Sequence, residues 1–90
     1  MPAENTVAVV MYATRHCPYC VAARQLLAAE GIAYRDIAVD GRPDLRDDLR
    51  QRSGQGTVPQ IWFGEQHIGG YSELSALQQR GKLSGFLPGR

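Results

Sequence analysis

Residues 6–13 read TVAVVMYA, a continuous, β-branched apolar run bounded by turn-forming residues. Such a run reads as a buried strand. The junction after this run constrains the fold most. Within four residues the chain reaches Cys17-Pro18-Tyr19-Cys20 and enters PYCVAARQLLAAE (18–30), a stretch rich in Ala, Leu, Arg and Gln. These are strong helix formers. Ala23, Leu26, Leu27 and Glu30 keep the helical period, and Gly31 supplies a stop. Pro18 suits the first helical position, where its missing N–H is not needed. AYRDIAV (33–39) alternates and predicts a second strand. A strand, a helix and a further strand in this order imply a parallel pair joined by a right-handed crossover.

DGRPD (40–44) makes a turn and opens a second helix near Pro43. That helix runs through LRDDLRQRS (45–53), with its charges on a solvated face, and stops at Gly54. PQIWF (59–63) predicts a third strand, with Pro59 at its first residue, where a missing donor does least harm. GEQ (64–66) turns the chain, and HIG (67–69) begins a fourth strand, which gives a hairpin. Ser72 is placed to cap a third helix, ELSALQQR (73–80), which Gly81 ends. KLSGFLPGR (82–90) reads as a last short turn of helix and a tail. The order β-α-β-α-β-β-α predicts an α/β fold: a four-stranded mixed sheet with helices on both faces.

Ninety residues make one domain, 1–90, with a small core. Ten basic and nine acidic residues are spread along the chain and leave a net charge of +1. That balance argues against a general nucleic-acid binder or a membrane-surface protein. The apolar run near the N-terminus is too short for a secretory signal and is preceded by Glu4 rather than by basic residues. Nothing approaches a membrane span. The expected location is the cytoplasm, where thiols are kept reduced and a close cysteine pair serves catalysis or metal binding rather than structure.

The chain has two cysteines, Cys17 and Cys20, two residues apart. A structural disulfide stabilises by closing a long loop in the unfolded chain, and this pair closes almost none. A complete metal site needs further ligands. His16 is a sequence neighbour of Cys17, and His67 sits in the hairpin, so four ligands within one chain are not expected. A reactive dithiol fits the context. Cys17 falls at the carboxyl end of a strand, where open α/β sheets place their sites. It also falls at the amino end of a helix, whose unpaired N–H groups and dipole favour a thiolate. A free thiol of pKa about 8.5 is only about 3% ionised at pH 7, whereas Cys-x-x-Cys sites at helix ends can reach roughly 3.5–7. Arg15 and His16 add positive charge if their side chains turn toward the thiol. Cys17 is the expected nucleophile, and Cys20, one turn further in, is positioned to attack a mixed disulfide formed at Cys17.

CPYC (17–20), TVPQIW (57–62) and IGGYSEL (68–74) together resemble the glutaredoxins, in particular the small bacterial dithiol type. The resemblance spans essentially the whole chain, with the three motifs in family order and spacing. It implies a thioredoxin-like fold and a glutathione-dependent thiol–disulfide oxidoreductase. Cys17 takes the glutathionyl group from a protein–glutathione mixed disulfide, and free glutathione regenerates it. For protein disulfides, Cys20 resolves the intermediate. No bound metal or organic prosthetic group is implied; glutathione is a co-substrate. The implied partners are glutathione and glutathionylated or disulfide-containing proteins, with no nucleic acid and no membrane, and a monomer is the simplest assembly.

The resemblance also implies a glutathione groove. Pro59 has a cis peptide bond, and the backbone of Val58, beside Thr57, pairs with the cysteinyl part of the ligand as an added strand does. Gly69 and Gly70 allow close approach, and the N–H groups of Tyr71 and Ser72 hold the γ-glutamyl carboxylate. Tyr19 flanks the thiol. Arg52 and Gln55 are candidates for the glycyl carboxylate, exposed helix-end positions being the alternative reading.

Two departures from the family pattern bear on glutathione recognition. Thr14 stands where many members have lysine, with Arg15 next door as a candidate substitute, and Ser72 stands where an acidic residue is frequent. Two other readings compete with this one. The first is a redoxin reduced by thioredoxin reductase; its signature is echoed only by Ser84-Gly85-Phe86-Leu87-Pro88, without the tryptophan. The second is an iron–sulfur cluster carrier, which the stiff Pro18-Tyr19 loop disfavours.

Overall fold

The apolar run of the N-terminal region becomes β1 (Val9–Ala13), and Pro18 opens α1 (Pro18–Ala29). The chain continues through β2 (Arg35–Ala38), α2 (Pro43–Ser53), β3 (Gln60–Phe63), β4 (Gln66–Gly69), α3 (Tyr71–Gln79) and a closing 3-10 turn (Leu83–Phe86). In this computed structural model residues 8–86 are described. Residues 6 and 7 of the expected first strand and 87–90 of the expected tail lie outside them.

The sheet order is β2-β1-β3-β4. β1 runs parallel to β2 and antiparallel to β3, with Met11 opposite both Asp36 and Ile61. β3 and β4 form the expected hairpin, with a register shift between Ile61 and Trp62. Successive strand residues point to opposite faces, and two apolar clusters result. On one face Met11 and Ile61 meet Leu27 of α1 and Leu74 of α3, all fully buried. On the other, Tyr12 and Trp62 meet Val39 and Leu49, the one buried residue of α2. Helices therefore cover both faces, α1 and α3 on one and α2 on the other. Each fully buried aliphatic side chain contributes roughly 1.5–3 kcal/mol.

Several element boundaries differ from the sequence expectation; β1 starts at Val9, with Ala8 outside it, and β4 already at Gln66. β2 is shorter than 33–39, because the chain is still leaving α1: Ile32 N–H bonds to Leu27 O at 2.9 Å and Gly31 N–H to Ala28 O at 3.0 Å. That paired closure needs a left-handed residue after the helix, which Gly31 supplies at φ 69°. The helix itself ends at Ala29, with Glu30 as its C-cap. Pro59 precedes β3 rather than starting it. Finally, Ser72 does not cap α3. The helix begins at Tyr71, and the cap position is Gly70. Glu73, the third helical residue, folds back onto the cap instead, its Oε1 accepting Gly70 N–H at 2.8 Å.

Candidate active site

Cys17 is the N-cap of α1, with extended backbone (φ −74°, ψ 122°), and Pro18 stands at the first helical position. Its carbonyl accepts Val21 N–H at 3.0 Å, the first bond of the helix. The side chain is half-buried, while Cys20, one turn in, is wholly buried, and both are free thiols. Two opposing influences act on Cys17. Burial pushes its thiol up. The backbone N–H of Cys20, the Cys20 thiol, the backbone N–H of Tyr19 and the Arg24 guanidinium together outweigh burial, so Cys17 ionises below the usual thiol range. Cys20 moves the other way: burial first, and then the hydrogen bond and charge of Cys17, push it up despite hydrogen bonds from Thr14. The structure thus separates two chemically identical residues: Cys17 is the more easily ionised of the pair and Cys20 the less.

The cation acting on Cys17 is Arg24. Its Nη2 donates to Thr14 O at 3.0 Å and its Nε to Asp36 Oδ2 at 2.6 Å, which ties the end of β1, helix α1 and strand β2 together. Arg15, named from sequence, is exposed, and its backbone N–H donates to Asp40 Oδ2 at 3.1 Å. That bond holds the Asp40 carboxyl below the usual range and fixes the loop leading into Cys17. Sequence reasoning missed both Arg24 and Asp40. Arg24 had a signal: it lies four residues after Cys20 and so on the same helix face. Asp40 had none, since its partner is 25 residues away.

Beside the thiols lies an open groove of about 180 Å³, lined by Tyr19, Gln55, Thr57, Val58, Pro59, Gln60, Gly70, Tyr71, Ser72 and Glu73. Among the groove residues named from sequence, Arg15, Arg52 and Gly69 do not line it, and Gln60 and Glu73 are added. The Val58–Pro59 peptide is cis, and Cys17 Sγ donates to Val58 O at 3.9 Å. Tyr19, 63% exposed, stands with its ring centroid 6.3 Å from that of Tyr71 at the groove's mouth. Across the groove, Gly70 comes so close to Pro59 that an added Cβ sits 3.3 Å from the Pro59 carbonyl. The first-turn N–H groups of α3 lie at this end and carry the positive end of the helix dipole.

Arg52, expected at a ligand carboxylate, is engaged on the other side of β3. Its Nη1 donates to Tyr12 Oη at 3.0 Å, and its guanidinium lies 5.4 Å from the Trp62 ring centroid. Tyr12 in turn donates to Asp48 Oδ2 at 2.6 Å. These contacts hold α2 to the sheet. The closing turn carrying Ser84 and Gly85 belongs to the far end of the chain, and Leu87 and Pro88 lie outside the described residues. Among the described residues, no group of three or more His, Cys, Asp or Glu side chains is placed to hold a metal ion.

A depressed-pKa cysteine at a strand-to-helix junction, a buried partner thiol one turn on and a facing Val58–Pro59 loop define a thiol–disulfide oxidoreductase of thioredoxin-like architecture. The sequence model of the glutaredoxin family matches residues 9–68, and the chain belongs to that family. A glutaredoxin of Pseudomonas aeruginosa is 51% identical over 79 residues, covering 88% of this chain and 94% of that protein. Glutaredoxin 3 of Escherichia coli is 42% identical over 79 residues, covering 88% and 95%. Among solved structures, a glutaredoxin from Brucella melitensis matches with a TM-score of 0.81 at 40% identity, over 93% of this chain and 91% of that one. A buckwheat glutaredoxin solved with glutathione matches with a TM-score of 0.81 at 31% identity, over 92% and 78%. The activity is that of a glutathione-dependent thiol oxidoreductase, and neither the redoxin nor the cluster-carrier reading is favoured.

Proposed function

We propose that the groove between Tyr19, Val58 and the start of α3 binds the glutathionyl part of a mixed disulfide and presents its sulfur to Cys17. The observation that carries this reading is the joint placement of an easily ionised Cys17 and Val58 O, 3.9 Å apart, at the edge of that groove. The thiolate attacks the glutathione sulfur. A Cys17–glutathione disulfide forms, the old disulfide breaks, and the substrate thiolate leaves and takes a proton. A second glutathione thiolate attacks the glutathionyl sulfur, gives glutathione disulfide and returns Cys17 as thiolate. With a protein disulfide, Cys17 forms the first mixed bond. Cys20 then loses its proton and attacks Cys17 Sγ, releasing the second substrate thiol. Two glutathiones reduce the resulting Cys17–Cys20 disulfide.

Thr57, Val58 and Pro59 offer extended backbone to the cysteinyl part of the ligand. Gly70, Tyr71 and Ser72 receive the γ-glutamyl carboxylate at the α3 N-terminus. Arg15, exposed beside Cys17 in sequence, serves as a charged contact at the rim. One chain supplies every group named, so the proposed working unit is a monomer formed by one domain, acting in the cytoplasm on glutathionylated and disulfide-containing proteins, with no resident metal or prosthetic group. The test is turnover of a small glutathione mixed disulfide, with glutathione and glutathione reductase supplying electrons. Rapid turnover that vanishes in Cys17→Ser is expected. Turnover that survives in Cys17→Ser, or depends on thioredoxin reductase instead, overturns the reading.

A further inference from the structure

Gln60 is the buried polar side chain of the core among the described residues, 1% exposed, and both ends of its amide are engaged. Its Nε2 carries two hydrogens and donates to Gln55 Oε1 and to Thr57 Oγ1, each at 3.2 Å. Its Oε1 lies 2.7 Å from His67 Nε2, which donates to it in the tautomer that carries its hydrogen on Nε2. His67 is held in turn by Trp62, with ring centroids 4.7 Å apart and an interplanar angle of 31°. Gln55, Thr57 and Gln60 all line the groove beside the thiols.

The orientation of this one amide decides the chemistry of the groove wall. An amide presents donors at one end and an acceptor at the other. Because the Gln60 nitrogen faces Gln55 and Thr57, their side-chain oxygens are taken up as acceptors. The Gln55 amide hydrogens and the Thr57 hydroxyl hydrogen are then left to donate elsewhere. The wall becomes a donor surface, which suits a carboxylate. A reversed Gln60 amide turns its oxygen on the same two residues, draws their hydrogens inward and leaves acceptors facing the ligand. The Nε2–H tautomer of His67 fixes the choice, because it can only donate to the Gln60 oxygen and not accept from a reversed amide. We infer that Gln60, oriented by His67, is a positioning residue that makes Gln55 and Thr57 hydrogen-bond donors and so selects a thiol ligand bearing a free carboxylate at that end.

This inference rests on the groove being the glutathione site. The probe is the disulfide of glutathione with a chromogenic thiol, compared with the same disulfide esterified at the glycyl carboxylate. Release of the chromogenic thiol is read in single turnovers of the full chain. The wild type is expected to prefer the free acid about tenfold in half-saturating concentration, the effect of losing a hydrogen bond to a charged group. In Gln60→Met, which keeps the length of the side chain, adds no charge and has no hydrogens to donate, the preference is expected to fall to near one, with the pH profile of Cys17 alkylation unmoved. His67→Phe, which keeps a ring against Trp62, is expected to lower the preference as well. It is the informative variant where Gln60→Met does not fold, as judged by thermal melting. A wild type that saturates with both probes without preference overturns the inference alone. So does a preference that persists in the folded variants. A wild type that releases no thiol from either probe overturns the glutathione reading and this inference with it.

Discussion

The Sγ of Cys17 lies 3.9 Å from the backbone oxygen of Val58, and this contact joins the helix that carries the dithiol to the loop that forms the groove. As a thiol, Cys17 has a hydrogen to give that oxygen. As a thiolate it has none, and the N–H groups of Tyr19 and Cys20 become its partners. The contact with Val58 O thus suits the protonated sulfur, and the helix N–H groups favour the charged one.

Alkylation by iodoacetamide should follow that titration. Because the Cys17 pKa is lowered, thiolate is present at pH values where an ordinary thiol is protonated. The rate should rise with pH and level off below the ordinary thiol range, with Cys17 modified before Cys20. Mass mapping across a pH series checks this. A curve with its midpoint at the ordinary thiol value, or first modification at Cys20, contradicts it.

Cys20→Ser should separate the two reactions. Turnover of a glutathione mixed disulfide needs Cys17 and a second glutathione, and should persist. Reduction of a protein disulfide through the dithiol route needs the resolving thiol, and should fall by well over tenfold. Side-by-side steady-state assays decide. Loss of both activities shows that the roles are wrongly assigned.

Arg24→Met should move the alkylation midpoint of Cys17 upward, since it removes a cation that favours the thiolate. The same substitution removes the Arg24–Asp36 ion pair, whose side chains are 24% and 32% exposed. Partial exposure limits the expected stability loss to about 1 kcal/mol, measurable by urea unfolding. An Arg15→Met control should move the midpoint less. Equal shifts in the two variants count against the assignment of Arg24.

Gly69→Ala should destabilise by roughly 1–3 kcal/mol. Gly69 has φ 118°, a conformation that L-residues with side chains rarely adopt, and an added Cβ meets Glu73 Oε1 at 2.8 Å. Relief requires Glu73 to move off Gly70 N–H, which it bonds at 2.8 Å. A higher half-saturating glutathione concentration should accompany the lower urea midpoint. An unchanged midpoint shows that Glu73 moves without cost.

Much of this arrangement was legible in the sequence. The unbroken run that forms Val9–Ala13, the Pro18 helix start and the stop at Gly31 are local signals, and each produced the element expected. Boundaries were less legible. Ala33 and Tyr34 have strand-like character, but the closure of α1 through Leu27 O occupies the chain before β2 can start. Ser72 has good capping chemistry, but the turn out of β4 places Gly70 at the cap instead.

Local signals along the chain were enough to order the elements and to put the dithiol at a strand-to-helix junction, because propensity, period and capping act over a few residues. Tertiary structure alone decided which charges serve the site. Arg52 is near the right motif in sequence, yet Tyr12 and Trp62 hold its side chain on the other side of β3, while Asp40 fixes the backbone of Arg15. Arg24 is brought to Thr14 and Asp36 only when α1 packs against the sheet. Gln60 gains its meaning only from His67, seven residues on and across the hairpin. These choices depend on side-chain direction and on partners brought together by folding, which spacing along a chain does not encode.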